Sequence, residues 1–110
     1  LIQEKFIIQI FKPIIMTYLF IPQVGDRAAI DIRLNALSSS SKAALIATYN
    51  KTQKTGIVGV RAQMHGILAL HYRFNAVFGS SPISIKDQFE VSLQNQIVAV
   101  GDHWEFEIAN

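Results

Sequence analysis

Two aspartates in the last third of the chain have surroundings suited to acid–base chemistry. Asp87 is the only polar residue on one face of an alternating stretch, 83–93, and Asp102 stands among apolar neighbours in a second such stretch, 96–108. The polar pair Gln94–Asn95 separates the stretches and predicts a β-hairpin. With this pair as the turn, Asp87 lies directly opposite Asp102 on the apolar face. The flanking cross-strand pairs would be Ile85 with Trp104 and Phe89 with Val100.

Two carboxylates about 5 Å apart on an apolar surface cannot both ionise at low cost, so we expect the pair to share a proton. Such a pair can act as general acid and base, or donate a hydrogen bond to a developing oxyanion. Asp87 and Asp102 are therefore candidate catalytic residues. The candidate ligand contacts around them are Tyr18, Phe89, Val100 and Trp104.

A structural interpretation competes with the catalytic one. A bulge at Gly101 would shift the register, turn Asp102 to solvent and leave Asp87 bonded to a backbone amide. Tyr18 and Trp104 would then be ordinary core residues, because large aromatic side chains are more often packed than functional.

No other motif predicts a metal or cofactor. The three histidines, His65, His71 and His103, lack the spacing of metal ligands, and the chain has no cysteine. The sequence contains no glycine-rich phosphate loop and no nucleophile elbow. We therefore expect neither a metal nor a cofactor.

Hydrophobic periodicity and the positions of proline, glycine and serine predict the helices and strands that would position these residues. Residues 1–11 fit a short helix or a strand; we favour the helix, which Pro13 would end, and predict a buried strand over 14–21. Residues 27–37 alternate as a strand would, but also fit a helix that begins at an Asp26 N-cap. Further on, we predict a strand over 43–49, where the serine-rich lead also permits a helix, and strands over 57–64 and 67–74. A polar turn is predicted over 50–56 and a loop over 79–82.

Several short segments occur in an order known from one superfamily. They are Ile21-Pro22; Gly25-Asp26-Arg27-Ala28-Ala29-Ile30 with Leu34 and Leu37; Val58-Gly59-Val60-Arg61 with Gly66; Asp87-Gln88-Phe89-Glu90-Val91; Ile97-Val98; and His103-Trp104. Over residues 14–108 this order resembles the nuclear transport factor 2-like superfamily, which includes ketosteroid isomerase, scytalone dehydratase and many polyketide cyclases.

The resemblance implies an α+β fold in which a strongly curved antiparallel sheet wraps N-terminal helices as a cone-shaped roll. It favours a helix over 27–37, an apolar pocket inside the roll and a homodimer through the back of the sheet. Asp87 falls where ketosteroid isomerase carries its oxyanion-hole aspartate, and Asp102 lies on the last strand, where polyketide cyclases place an acid. Ile21 stands where the isomerase has its general base, so ketosteroid isomerisation is not expected. The alternative fold is an all-β sandwich, with 27–37 and 43–49 both as strands.

Composition limits the class of protein. The 110 residues fit a single domain; half are hydrophobic and only 16% are charged, which excludes disorder. A net charge of +2 without a basic cluster argues against nucleic acid, and the apolar stretch 6–21 is too short and interrupted for a membrane span. We expect a cytoplasmic protein.

Two functional hypotheses remain open. The first is a small apolar-ligand pocket, as in a lyase, isomerase or hydrolase that uses the aspartate pair. The second is a noncatalytic dimeric binding or assembly module, whose low charge reflects a buried interface.

Overall fold

A computed structural model describes residues 16–87 and 90–107. The helix predicted over 1–11 and the candidate contact Phe89 lie outside these residues. Within them the fold is α+β, with three helices and two small antiparallel sheets, as the sequence predicted at this coarse level. The elements are β1 (Met16–Leu19), α1 (Asp26–Ala36), α2 (Lys42–Thr55), α3 (Arg61–Phe78), β2 (Ser84–Lys86), β3 (Glu90–Leu93), β4 (Ile97–Val100) and β5 (His103–Phe106).

The ambiguous stretch 27–37 is a helix, and β1 confirms a strand within 14–21. The N-cap of α1 is Gly25, whose φ of +93° suits glycine, and Asp26 is the first helical residue. The all-β alternative is therefore wrong. The loop predicted over 79–82 is confirmed, since α3 ends at Phe78 and β2 begins at Ser84.

Helix α2 replaces the strand predicted over 43–49 and most of the turn predicted over 50–56. Ser41 caps it, because its side chain accepts a hydrogen bond from the N–H of Ala44 at 3.1 Å. The buried residues Leu45, Ile46 and Tyr49 recur at helical spacing. A serine cap followed by alanines therefore decides this segment against the alternating pattern.

Helix α3 replaces the two strands predicted over 57–64 and 67–74. Its buried side chains follow a helical stripe and include Met64, Ile67, Leu68, Leu70 and Phe74. Gly66, which separates the two predicted strands, lies inside the helix. A Cβ at this position would stand 3.4 Å from Nη1 of Arg33. This is an ordinary van der Waals contact with the end of a flexible side chain, so neither a turn nor crowding explains the glycine.

The predicted hairpin is also wrong, because its two long strands are four short ones. β2 pairs with β3, with Ile85 opposite Val91, and β4 pairs with β5, with Ala99 opposite Trp104. Gln94–Asn95 connects the two sheets. Gly101, with a φ of +61°, lies in the β4–β5 turn and replaces the expected bulge within one strand.

One hydrophobic core joins helices and sheets. The three-stranded sheet has the order β1–β3–β2, and neither sheet is closed or strongly curled. The core draws on α2, α3, β3, β4, β5 and residues flanking β1 and β2, and its aromatic members are Phe20, Tyr49, Phe74 and Trp104. No helix among residues 16–87 and 90–107 is long and apolar enough to cross a membrane.

Side-chain amides fasten α2 to the second sheet. The amide of Asn50 donates to the carbonyl of Ile97 at 2.9 Å and accepts the N–H of Ile97 at 2.8 Å. The hydroxyl of Tyr49 donates to the carbonyl of Asn95 at 3.0 Å. These bonds satisfy backbone groups in and just before the start of β4 that are not hydrogen-bonded to another strand. They therefore fix the position of the second sheet against α2.

Candidate functional site

The predicted aspartate pair is not assembled. Asp87 is exposed directly after β2, whereas Asp102 is exposed in the β4–β5 turn, where its carbonyl accepts a hydrogen bond from Lys42 at 3.0 Å. The two residues thus belong to different hairpins, and the register that placed them opposite each other is wrong.

The predicted ligand contacts are also separated. Tyr18 is half-buried against the core, and its hydroxyl donates to the carbonyl of Gly59 at 3.4 Å. Val100 is exposed on β4, and Trp104 is buried, with its Nε1 donating to the carbonyl of Ser80 at 3.3 Å. The structure therefore places Tyr18 and Trp104 among packed residues, as the structural interpretation expected.

A cavity of about 730 Å³ lies between α1 and α3. α1 supplies Ile30 and Leu34, α3 supplies Leu68 and His71, and β2 supplies Ile85. Its remaining lining residues are Phe20, Pro22, Gln23, Asp26, Arg27, Asp31 and Tyr72. None of the described residues that the sequence proposed as a site is among them.

A buried carboxylate reaches one end of this cavity. Asp26 is only 5% exposed, and three donors hold its carboxylate. The N–H of Gln23 and Nη1 of Arg61 both donate to Oδ2 at 2.6 Å, and Nε2 of His65 lies 2.7 Å from Oδ1. The hydrogen bond from His65 is the main reason that the pKa of Asp26 lies below its usual value; burial opposes it, and Gln23 and Arg61 reinforce it. Asp26 is therefore ionised at neutral pH.

The backbone explains why these groups meet. Asp26 begins α1, while Arg61 and His65 lie four residues apart on α3 and so face the same side. Arg61 is held from two further directions: Nη2 donates to the carbonyl of Ile21 at 3.2 Å, and the guanidinium lies 4.8 Å from the ring centroid of Phe20. The cluster ties the start of α1 to the start of α3.

Sequence reasoning missed this cluster. The sequence pattern predicts only a helix cap at Asp26, and His65 enters only as a histidine without the spacing of a metal ligand. The available signal was the spacing of Arg61 and His65, which places them on one face of a helix. The strand predicted over 57–64, if continued to residue 65, also places Arg61 and His65 on one face, but it does not predict that this face packs against α1.

A second polar cluster borders the cavity at His71. Its Nδ1 lies 2.9 Å from the hydroxyl of Ser81, and its Nε2 lies 3.2 Å from the side-chain amide of Asn75. Burial lowers the pKa of His71, and a backbone hydrogen bond with Ile83 opposes this in part. His71 is therefore a neutral imidazole at pH 7, able to accept a proton.

Comparison with protein-family models, curated proteins and solved structures found no match for the chain. Within the part of the chain that the structure describes, no three histidine or carboxylate side chains are grouped to hold a metal ion. The features of the described residues that indicate a function are the cavity and the polar clusters around Asp26 and His71.

Proposed function

We propose that this protein binds a small, mostly apolar molecule carrying a hydroxyl group, in the cavity between α1 and α3. The observation that carries the proposal is the ionised, buried carboxylate of Asp26 at the end of an apolar cavity. The cavity volume of about 730 Å³ is typical of small-molecule sites, which combine apolar walls with few fixed polar groups.

We infer that the ligand carries a hydroxyl group from the number of hydrogen bonds that the Asp26 carboxylate can accept. A carboxylate has about four acceptor positions, and the backbone of Gln23 and the side chains of Arg61 and His65 occupy three. A ligand donor can occupy the fourth. Because Arg61 already balances the negative charge, a neutral O–H donor is favoured over an ammonium group, which would bring an unbalanced charge into the cavity.

The test uses 2-naphthol and its methyl ether, 2-methoxynaphthalene, which lacks the O–H donor. We expect 2-naphthol to bind at least about tenfold more tightly, since one hydrogen bond to a charged group is worth roughly 1.5–3 kcal/mol. Ile30→Trp should fill the cavity and weaken 2-naphthol binding at least about tenfold. Binding is measured by fluorescence titration and by the shifts of backbone amide signals in NMR spectra.

Ile32→Trp is the matched control, because Ile32 lies on the same helix but is 71% exposed and does not line the cavity. It should leave binding unchanged. Equal affinity for the naphthol and the ether would contradict the role of Asp26. Equal effects of the two tryptophans would contradict the location of the site.

A homodimer formed through the second sheet is a second candidate, favoured by the outer edge of β4. Asn50 already bonds the outward backbone groups of Ile97. Two residues on, the N–H and C=O of Ala99 face the same edge and have no partner among the described residues. Val98 and Val100, which flank Ala99, are exposed, and a two-stranded ribbon gains stability from further strands.

If this homodimer forms, light scattering after size-exclusion chromatography should give a particle of twice the mass of one chain. Ala99→Pro should give a monomer with unchanged circular dichroism, because proline removes only an outward N–H. Val60→Pro, at another exposed apolar position whose N–H has no partner among the described residues, should leave the mass of the particle unchanged. A monomeric wild-type protein at millimolar concentration would reject this assembly.

A further inference from the structure

Three side chains beside the cavity are arranged as a nucleophile, a base and an orienting group. Ser81 lies in the loop between α3 and β2, and its hydroxyl is 2.9 Å from Nδ1 of His71. Asn75, one helical turn after His71, lies 3.2 Å from the other ring nitrogen, Nε2. A hydroxyl within reach of an imidazole, with a third group fixing the ring, is the arrangement that activates serine nucleophiles.

The hydrogen bonds allow the proton transfer that activation requires. Ser81 Oγ accepts the N–H of Ile83 at 3.1 Å, which fixes the oxygen 2.9 Å from Nδ1 of His71, within reach for its proton to be donated to that nitrogen. The amide nitrogen of Asn75, Nδ2, lies 3.2 Å from Nε2 of His71. A half turn of this amide puts its oxygen there instead, where it accepts the Nε2 proton and leaves Nδ1 free to accept the proton of Ser81. Burial keeps the imidazole neutral, and so ready to accept the serine proton.

The position of the cluster indicates the substrate. His71 lines the apolar cavity that also contains Ile30, Leu34 and Leu68, so a molecule seated there would bring a bond at its edge close to Ser81. The backbone N–H of Ser81 donates to no acceptor within residues 16–87 and 90–107, and is therefore free to bond a developing oxyanion.

We propose that Ser81 is the nucleophile in the hydrolysis of small apolar esters, with His71 as the general base and Asn75 as a positioning residue. The inference rests on the proposed ligand cavity, which would hold the apolar part of the ester. In this reaction the hydroxyl compound proposed above as the ligand is the alcohol released from the ester.

The reaction balances without a cofactor. The Ser81 oxygen bonds to the ester carbonyl carbon as its proton passes to Nδ1 of His71, giving a tetrahedral oxyanion. Collapse breaks the bond to the alcohol oxygen, which takes the proton from His71 and leaves an acyl group on Ser81. Water then attacks this acyl group, with His71 again taking the proton and returning it to Ser81, and the carboxylic acid is released.

The first test is covalent labelling of the full chain with diisopropyl fluorophosphate. The serine oxygen bonds to phosphorus, fluoride leaves, and the mass of the chain rises by one diisopropylphosphoryl group. Peptide mapping should place the group on Ser81. His71→Gln should slow labelling by about 100-fold or more, the usual contribution of a general base.

Ser80→Ala is the matched control. The Ser80 hydroxyl is exposed in the same loop and lies 3.4 Å from Nε2 of His103, too long for comparable activation. This variant should be labelled at the wild-type rate, whereas Ser81→Ala should not be labelled. If Ser81→Ala does not fold, mapping of the labelled wild-type chain decides the site. Unlabelled wild-type protein, or equal labelling of several serines, would overturn the proposal.

The second test is the hydrolysis of 2-naphthyl acetate, followed by the fluorescence of released 2-naphthol. Hydrolysis should disappear in Ser81→Ala and fall in Ile30→Trp. Binding of 2-naphthol without labelling of Ser81 would overturn only the esterase proposal. Labelling of Ser81 without any effect of Ile30→Trp on 2-naphthol binding would overturn only the proposal that the cavity is the ligand-binding site.

Discussion

Replacing Phe74 with alanine should lower the free energy of unfolding by about 3–5 kcal/mol, the usual range for a large aromatic side chain lost from a core. Phe74 has no exposed surface. Its ring centroid lies 6.2 Å from that of Tyr49, 5.3 Å from Phe78 and 6.5 Å from Trp104. Removing the ring therefore leaves a cavity where α2, α3 and the second sheet meet, and three aromatic neighbours lose a partner.

Urea unfolding followed by far-ultraviolet circular dichroism measures this loss. Tyr72→Ala is the control, because Tyr72 lies on the same helix but is 47% exposed, and it should cost less than about 1 kcal/mol. A loss of less than about 1 kcal/mol for Phe74→Ala would mean that the aromatic core is not formed as described.

The parts of the fold that could be predicted are those fixed by nearby residues. Strand β1 ends before Pro22, and the loop over 79–82 contains glycine, serine and proline, so local chemistry decides both. The helix α1 was recognisable as one of two alternatives, because Ile30, Leu34 and Leu37 fit a helical face as well as alternation does. The packing of α1 on α3 decided between them.

The errors in the middle of the chain have a common cause. Just before α3, the alternate apolar residues Val58 and Val60 lead into a stretch that is apolar on most sides. A helix buried on a wide face shows weak periodicity, and short windows then fit a strand equally well. The length of the stretch from Arg61 to Phe78, 18 residues without proline, is the better indicator.

The aspartate pair failed for a topological reason. Alternation over 83–93 and 96–108 continues through the turns after Lys86 and Val100, so each stretch looked like one strand. Each instead folds back on itself, which carries Asp87 and Asp102 to two separate hairpins. Alternation predicts which face of the sheet a residue occupies, but it does not show where the chain turns back. Only a turn residue such as Gly101, interpreted as the end of a strand, would have indicated the turn.

The cavity and its polar clusters depend on contacts distant in sequence. Asp26 meets Arg61 and His65 only because α1 packs on α3, across 35 and 39 residues. His71 and Ser81 are closer in sequence, ten residues apart, but they meet only because the chain reverses after Gly79. Such meetings follow from helix packing, which a single sequence does not specify in detail.

Alkaline pH should destabilise the protein through Tyr49. Burial raises the pKa of its hydroxyl from 10.0 to about 12, and a backbone hydrogen bond with Gln94 lowers it in part. The hydroxyl donates to the carbonyl of Asn95, a bond that the phenolate cannot make. Because the folded state binds the proton more tightly than the unfolded state, this stability is complete below pH 10 and is lost as the pH rises through 12. Two pKa units correspond to about 2–3 kcal/mol.

Urea unfolding at intervals between pH 9 and pH 12 tests this dependence. Tyr49→Phe should be less stable by about 1 kcal/mol at pH 8, because it loses one hydrogen bond, but its stability should fall less steeply above pH 10. Tyr72→Phe, which alters an exposed tyrosine, should retain the wild-type slope. Equal slopes for wild type and Tyr49→Phe would mean that the hydroxyl of Tyr49 reaches water in the folded state. The bond that fixes α2 to the residues before β4 would then not form as described.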